Sequence, residues 1–188
     1  MNLIFRLIKT VLLAFFRERL GSLFAPSILH FRVWPNDLDT NFHMNNGRYL
    51  TLMDLGRFDL VMRNGLLKLV MKNKSVPVLS AATIRYRLSL DPFQKFRLES
   101  RVLCWDETWV YMEQRFIFAK GPKKGVVAAI GLVKGGFLNK KERRVMPTKD
   151  ILAHLGMKTK SPPFPAHVKS WVEAEEHLKD VTVIKKAA

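Results

Sequence analysis

Residues 36–50 read NDLDTNFHMNNGRYL. Asp37 and Asp39 stand two apart, Asn41 and His43 follow at the same spacing, and Asn45 and Asn46 come directly before a helical pattern. A carboxylate serves as general base or nucleophile, and an imidazole changes charge near neutral pH. A helix N-terminus leaves backbone N–H groups unpaired and carries partial positive charge. Asn45 or Asn46 suits the cap of such a helix. A carbonyl oxygen set against the free amides is polarised, as in an oxyanion site. A carboxylate beside it can attack the carbonyl carbon or activate water, so the local chemistry suits an ester or thioester. The same side chains also suffice to satisfy a tight turn and a cap, with no chemistry at all. On these features alone both readings stand.

The elements around the motif must hold that helix start in place. A short strand is expected from Ile28 to Trp34, and a helix from about Asn46 to Lys72, bent or broken at Gly65, with Leu50, Met53, Leu60 and Val61 near the helical period. Period-two alternation follows in four stretches. Val78, Ser80, Ala82, Ile84, Tyr86 and Leu88 share one face of the first. Phe96, Leu98, Val102 and Cys104 share a face of the second, and Val110, Met112, Phe116 and Phe118 of the third. The fourth is VVAAIGLVKGGFL. Turn signals at Asp91–Phe93, Asp106–Glu107 and Gly121–Gly125 separate them, which predicts a four-strand antiparallel meander. A short helix near Thr148 to Leu155, an SPPFP linker and a last helix near His167 to His177 complete the chain. An antiparallel sheet must cover one apolar face, and the long helix is the available cover, giving an α+β fold.

With 188 residues the chain suits one core. The expected division is an amphipathic N-terminal helix over 1–24, a central domain over 25–145 and a helical extension over 146–188. A single cysteine, Cys104, excludes an internal disulfide framework and fits a reducing compartment. Its alternation marks it as a small buried group rather than a nucleophile. The formal charge of +16 favours anionic partners or solvates a basic face, but no nucleic-acid motif accompanies it and no specific nucleic acid is expected. In MNLIFRLIKTVLLAFFRERLG, Arg6 and Lys9 interrupt the apolar run, so it is too short to span a bilayer. As a helix it sets Arg6, Lys9, Thr10 and Arg17 near one stripe and Phe5, Ile8, Leu12, Phe15 and Phe16 largely opposite. That pattern fits an interfacial anchor on an anionic membrane, residues 1–20 tethering a cytoplasmic protein to the inner face. It equally fits a helix packed on its own domain or a partner subunit. The motif lies outside this segment, so truncation near Ser27 is expected to separate tether from chemistry.

DLDTNFHMNNGRYL resembles the signature of the hotdog-fold acyl-CoA thioesterases of the 4-hydroxybenzoyl-CoA thioesterase-like group, often Asp-x-Asp-x-x-Gly-His-x-Asn-Asn-x-x-Tyr. Asp37, Asp39, His43, Asn45, Asn46 and Tyr49 match, and Phe42 replaces the glycine. The stretch is also similar to the Asp-Leu-Asp-x-Asn-x-His-x-Asn-Asn run of plant acyl-carrier-protein thioesterases, which Asn41 matches. GRYLTLMDLGRFDL, PVLSAATIRYRLSLDPF and LCWDETWVYMEQRF resemble the group of thioesterase superfamily member 6, over about residues 28–175.

The resemblance implies a hotdog fold, an antiparallel sheet wrapped around a long central helix, here with added N- and C-terminal helices. It implies a homodimer or higher homo-oligomer, no metal and no cofactor, and hydrolysis of acyl-CoA to a free acid and CoA in lipid metabolism. Asp39 matches the nucleophile or general base. Asn46 falls where a helix-start amide holds the thioester oxygen, and Asn41 and His43 match the pair that orients or activates the attacking group. Asn45 and Tyr49 fall beside the substrate. Arg85 and Arg87, with Lys95, Arg97 or Arg101, are candidates for the CoA phosphates. The plant group adds a downstream glutamate, and no acid lies between Val76 and Leu90 to match it, which favours the Asp39-centred mechanism. Phe42 and that missing acid also suit a non-catalytic acyl- or lipid-binding hotdog protein. Hydratases of this fold resemble Asp-x-Asn-Pro-x-His, but no proline follows Asn41 and His43 arrives one residue early.

Overall fold

A computed structural model describes residues 2–182. In chain order the elements are α1 (Asn2–Phe16), β1 (Ser27–Arg32), a 3-10 turn (Pro35–Asp37), α2 (Asn46–Arg63), α3 (Leu67–Lys72), β2 (Ser75–Tyr86), β3 (Lys95–Trp105), β4 (Val110–Phe118), β5 (Val127–Asn139), β6 (Arg144–Val145), α4 (Thr148–His154) and α5 (Ala166–Thr182). The chain breaks its long helix where expected. Asn64 caps α2, Gly65 takes a φ of +78° that an L side chain would resist, and α3 starts afresh.

The strands form one antiparallel sheet in the order β1-β3-β4-β5-β2, with β6 added to β5. The sheet curls around α2. Leu52, Met53 and Leu55 of the helix meet Phe96 and Leu98 of β3, Phe116 and Phe118 of β4 and Ala129 and Val133 of β5 in the main core. This is the hotdog arrangement, a helix wrapped by a curled antiparallel sheet with helices added at both ends.

The four-strand meander needs correcting. Only β3, β4 and β5 are sequential neighbours. β2 pairs with β5 at the far edge, so residues 87–94 are not a hairpin turn but a connection carried from that edge past β5 and β4 to β3. Two faces also shift at bulges. Pairing slips between Leu79 and Ala81, so Val78 to Leu88 do not share one face. It slips again between Val102 and Cys104. Val102 therefore stays with Leu60 of α2, whereas Cys104 joins Tyr111 and Val168 on the outer face, beneath the C-terminal segment. One extra residue in a strand turns all later side chains over. There, burial and then the charge of Asp106 push the Cys104 thiol up to about 11, so it is an inert packing group.

Helix and sheet approach closely at Gly56. A Cβ there would lie 2.4 Å from Ser100 Oγ and 2.8 Å from Gln114 Nε2. The buried Gln114 donates to Met53 O and to Ser100 Oγ and accepts from Arg57, fastening α2 to β3 and β4. Gly56→Ala forces this contact apart, and overpacking of that kind costs roughly 1–3 kcal/mol. Thermal unfolding is expected to fall by about 2–4 °C per kcal/mol lost. An unchanged or raised melting temperature, followed by circular dichroism, would mean the helix does not rest on the sheet there.

Candidate active site

The loop before α2 is built around Asp39. Its Oδ1 accepts the backbone N–H of Asn41 at 2.9 Å and of His43 at 3.3 Å. Its own N–H donates to His43 O, and its carbonyl accepts from Phe42 N–H. Oδ2 accepts no hydrogen bond from the described residues, and Asp39 is partly open to solvent. One carboxylate oxygen thus shapes the turn, and the other has no hydrogen-bond donor among the described residues. Phe42 sits at a φ of +57° and is 72% exposed. The turn keeps the left-handed geometry a glycine accepts freely, at a cost of roughly 1–2 kcal/mol for an L residue.

Asn45 is the cap. Its side chain accepts Gly47 N–H at 2.9 Å, and its carbonyl accepts Arg48 N–H. That leaves the backbone amide of Asn46 with no acceptor among the described residues, exposed at the positive end of an eighteen-residue helix. Tyr86 of β2 donates its hydroxyl to Asn46 O at 3.1 Å, pinning this end of the helix to the sheet. Tyr49 is only 3% exposed, edge-on to Tyr86 and to Phe116. Burial raises its phenol to about 12, with Tyr86 next in effect. The Leu90 backbone pulls it down, and the nearby Asp39 adds a smaller upward push. Tyr49 thus belongs mainly to the core, with its hydroxyl close enough to feel Asp39. Asn41 is exposed beside the loop.

His43 has a partner that sequence reasoning missed. Its Nε2 lies 3.6 Å from Asp91 Oδ1, both side chains about half exposed. Asp91 is one position beyond the Val76–Leu90 window and was read only as part of a turn. It reaches the motif because residues 87–94 cross the end of the sheet beside it. Leu90, in the same connection, accepts Met44 N–H at 2.9 Å. The pair becomes an ion pair when the imidazole is protonated.

The family model of the Thioesterase-like superfamily matches residues 33–172, from just after β1 into the last helix. The chain belongs to the thioesterase-like superfamily. It is 36% identical over 141 residues to Protein THEM6 of Xenopus laevis, covering 75% of this chain and 64% of that protein. It is 31% identical over 125 residues to a probable thioesterase of Saccharomyces cerevisiae, covering 65% of this chain and 52% of that one. The chain therefore spans less than two thirds of the length of these curated relatives. Among solved structures, a probable thioesterase from Escherichia coli superposes with a TM-score of 0.62 at 19% identity, over 68% of this chain and 94% of that one, a likeness of fold.

Within this superfamily fold the first acid of the motif is structural. Asp37 is 1% exposed. Its Oδ2 accepts Arg6 Nη2 at 2.6 Å and Trp34 N–H at 2.9 Å, its Oδ1 lies 3.2 Å from Arg48 Nε, and its carbonyl accepts Asn45 N–H. Arg6 comes from α1 and also donates to Arg32 O. At the other end of α1, Arg17 donates to Ile28 O and lies 3.8 Å from the buried Asp59, which also accepts Ser27 Oγ. Truncation near Ser27 therefore does not separate two independent parts. It removes one of the two arginines beside each of two buried carboxylates, one of them in the motif itself.

The basic residues divide. Arg97 and Arg101 are paired with Glu99 and Glu113. Arg85 and Arg87 are exposed on either side of Tyr86. Because Tyr86 turns toward the helix, its β2 neighbour Arg85 faces the opposite side of the sheet, away from the Asn46 amide of the same chain, and Arg87 lies just beyond the strand. No cluster of His, Cys, Asp or Glu that would hold a metal occurs among the described residues. An apolar cavity of about 270 Å³ lies between the second half of α2, the sheet and α4, lined by Phe58, Val61, Val78, Met112, Phe137 and Leu155 among others.

Asp37→Asn leaves two guanidinium groups without their buried counter-ion, a change that typically costs about 3–5 kcal/mol. Chemical denaturation is expected to show a loss of that order. A loss under 1 kcal/mol would mean that Asp37 does not anchor the loop.

Proposed function

We propose that this chain is an acyl-CoA thioesterase that hydrolyses the thioester to a free acid and CoA. The observation that carries the reading is the pairing of a carboxylate, Asp39, whose second oxygen is unclaimed, with the unpaired Asn46 amide at the start of the same helix. The thioester oxygen accepts from the Asn46 N–H, and the helix terminus stabilises the charge that grows on it. Asp39 either takes a proton from the attacking water or attacks the carbonyl carbon itself, forming an anhydride that water then opens. In both routes a C–O bond forms and the C–S bond breaks. The sulfur leaves as the thiolate and is then protonated. His43, oriented by Asp91, and Asn41 border the path of the water. An acyl-binding protein without turnover is the competing reading, and the turn-forming role of Asp39 Oδ1 favours it.

The acyl chain suits the apolar cavity, but within one chain that cavity lies far along the helix. Phe58 is twelve residues beyond Asn46, about 18 Å at 1.5 Å per residue. β2 is an edge strand with unpaired backbone groups and exposed Leu79 and Tyr86. A two-fold pairing of β2 with its copy sets the two α2 helices antiparallel, bringing the helix start of one subunit toward the cavity of the other. We therefore assign a homodimer. A reducing, cytoplasmic compartment fits the single unpaired Cys104, and residues 1–20 suit a tether to the inner face of an anionic membrane.

Two measurements test this. Across an acyl-CoA series from short to long chains, the wild type is expected to release CoA, and Asp39→Asn to lose roughly two orders of magnitude or more in turnover while remaining folded. A folded variant with near-wild-type turnover refutes the role, and a wild type with binding but no release favours the acyl-binding alternative. Light scattering at micromolar concentration is expected to give twice the 21.7 kDa of the chain. A fully active monomer excludes a site shared between subunits.

A further inference from the structure

α1 is packed the opposite way from an ordinary surface helix. The residues it buries recur at three and four positions: Leu3 partly, then Arg6, Thr10 and Ala14. Its polar stripe thus faces the domain and is held there by Asp37 and the Arg32 carbonyl. Its apolar stripe faces out. Ile4, Phe5, Ile8, Leu12, Phe15 and Phe16 are all more than half exposed, Phe16 to 87%. A helix packed on its own domain for hydrophobic reasons would show the reverse. The face continues onto the domain, because Phe5 shares a groove with Trp34 and Pro35, and Trp34 packs edge-on against the exposed Phe93 at 6.2 Å. A contiguous apolar surface of this kind marks a contact site.

Charge indicates the occupant. Up to Pro35 the single acid is Glu18, and while Arg6 and Arg17 turn inward to Asp37 and Asp59, Lys9, Arg19 and Arg32 have no ion pair among the described residues. Arg32 lies over the Trp34 ring, and Lys95, beside Arg32, has its ammonium held below its usual range by Lys120 and Arg32. The apolar face is therefore rimmed by cations, with an indole at the edge, the composition that suits the headgroup boundary of an anionic bilayer. A second copy of the chain would bring the same cations against themselves. α1 also lies along β1, at the opposite edge of the sheet from β2, so a dimer made through β2 leaves it uncovered. No described helix is long and apolar enough to cross a membrane.

We infer that the outward face of α1, joined by Trp34 and Phe93, is a docking surface for an anionic lipid bilayer. The helix lies in the interface, and Arg6 clamps its inner face to Asp37, so the loop carrying Asp39 is seated at the membrane with it. This deepens the peripheral-membrane reading and is independent of turnover, since lipid binding needs no hydrolysis.

The test is co-sedimentation of the full chain with phosphatidylcholine vesicles, with and without phosphatidylglycerol, at low and high salt. Binding is expected on the anionic vesicles at low salt and to weaken as salt rises. The quadruple variant Phe5→Ser, Ile8→Ser, Leu12→Ser, Phe16→Ser changes only outward side chains. It is expected to lose affinity by roughly tenfold or more, with an unchanged melting temperature and short-chain acyl-CoA hydrolysis equal to the wild type's. Brominated lipid is expected to quench Trp34 fluorescence, and Trp34→Phe to remove that quenching. Failure of the wild type to co-sediment, wild-type affinity in the quadruple variant, or quenching that survives Trp34→Phe would each overturn the proposal. So would a drop in the variant's solution mass without any vesicle binding, which would assign the face to a second copy of the chain. Vesicle binding by a protein without hydrolysis would leave this surface standing and remove only the thioesterase reading.

Discussion

The buried carboxylate of Asp37 is the point on which the arrangement depends. It gathers a guanidinium from α1, another from the first turn of α2 and the amide of Trp34, and its own carbonyl takes the amide of Asn45. A charge this deep is tolerated only when paired and hydrogen-bonded. Two cations and a backbone donor meet that requirement, and in doing so they fix three separate parts of the chain against one another. The N-terminal helix, the motif loop and the start of the central helix are thus one unit, although α1 lies some thirty residues away in sequence (Arg6 to Asp37).

The second acid depends on the first. Asp39 holds its loop with one oxygen, and that loop closes only because Asn45 is tied back to Asp37 and Met44 to Leu90. The left-handed Phe42 is the strained residue of this turn, and strain of that kind persists where surrounding contacts over-determine the backbone. The helix terminus supplies the complementary feature. Its cap satisfies Gly47, its carbonyl satisfies Arg48, and the Asn46 amide remains. Two neighbouring aspartates in one motif therefore differ in burial: Asp37 is enclosed and fully paired, whereas Asp39 spends one oxygen on its own turn and keeps the other unpaired among the described residues.

Much of this was legible in the sequence where the signal is local. The helix break at Gly65, a cap at one of the two asparagines Asn45 and Asn46, the short Thr148 helix and the three sequential strands all follow from periodicity and turn residues. What was not legible depends on non-local pairing. Asp91 looks like a hairpin turn until β2 is found on the far side of β5, which obliges residues 87–94 to cross beside the motif. The bulges at Ser80 and Leu103 are invisible to a period-two count, so Cys104 was set on the wrong face. The amphipathic pattern shows two stripes in the sequence, and in α1 the Arg6–Thr10 stripe is buried while Lys9 stays exposed. The stripe that faces the domain is the one whose Arg6 pairs with the buried Asp37, with Arg17 just beyond the helix lying 3.8 Å from the buried Asp59.

The central claim is geometric: a thioester carbonyl sits with its oxygen on the Asn46 amide and its carbon facing the unclaimed oxygen of Asp39. The most direct measurement is a crystal structure with an acyl-CoA analogue in which methylene replaces the thioester sulfur, keeping the carbonyl and preventing cleavage. The carbonyl oxygen is predicted within hydrogen-bonding distance of Asn46 N–H, with Asp39 Oδ2 directed at the carbonyl carbon. A carbonyl bound away from the start of α2, with Asp39 turned wholly into its loop, would contradict the account.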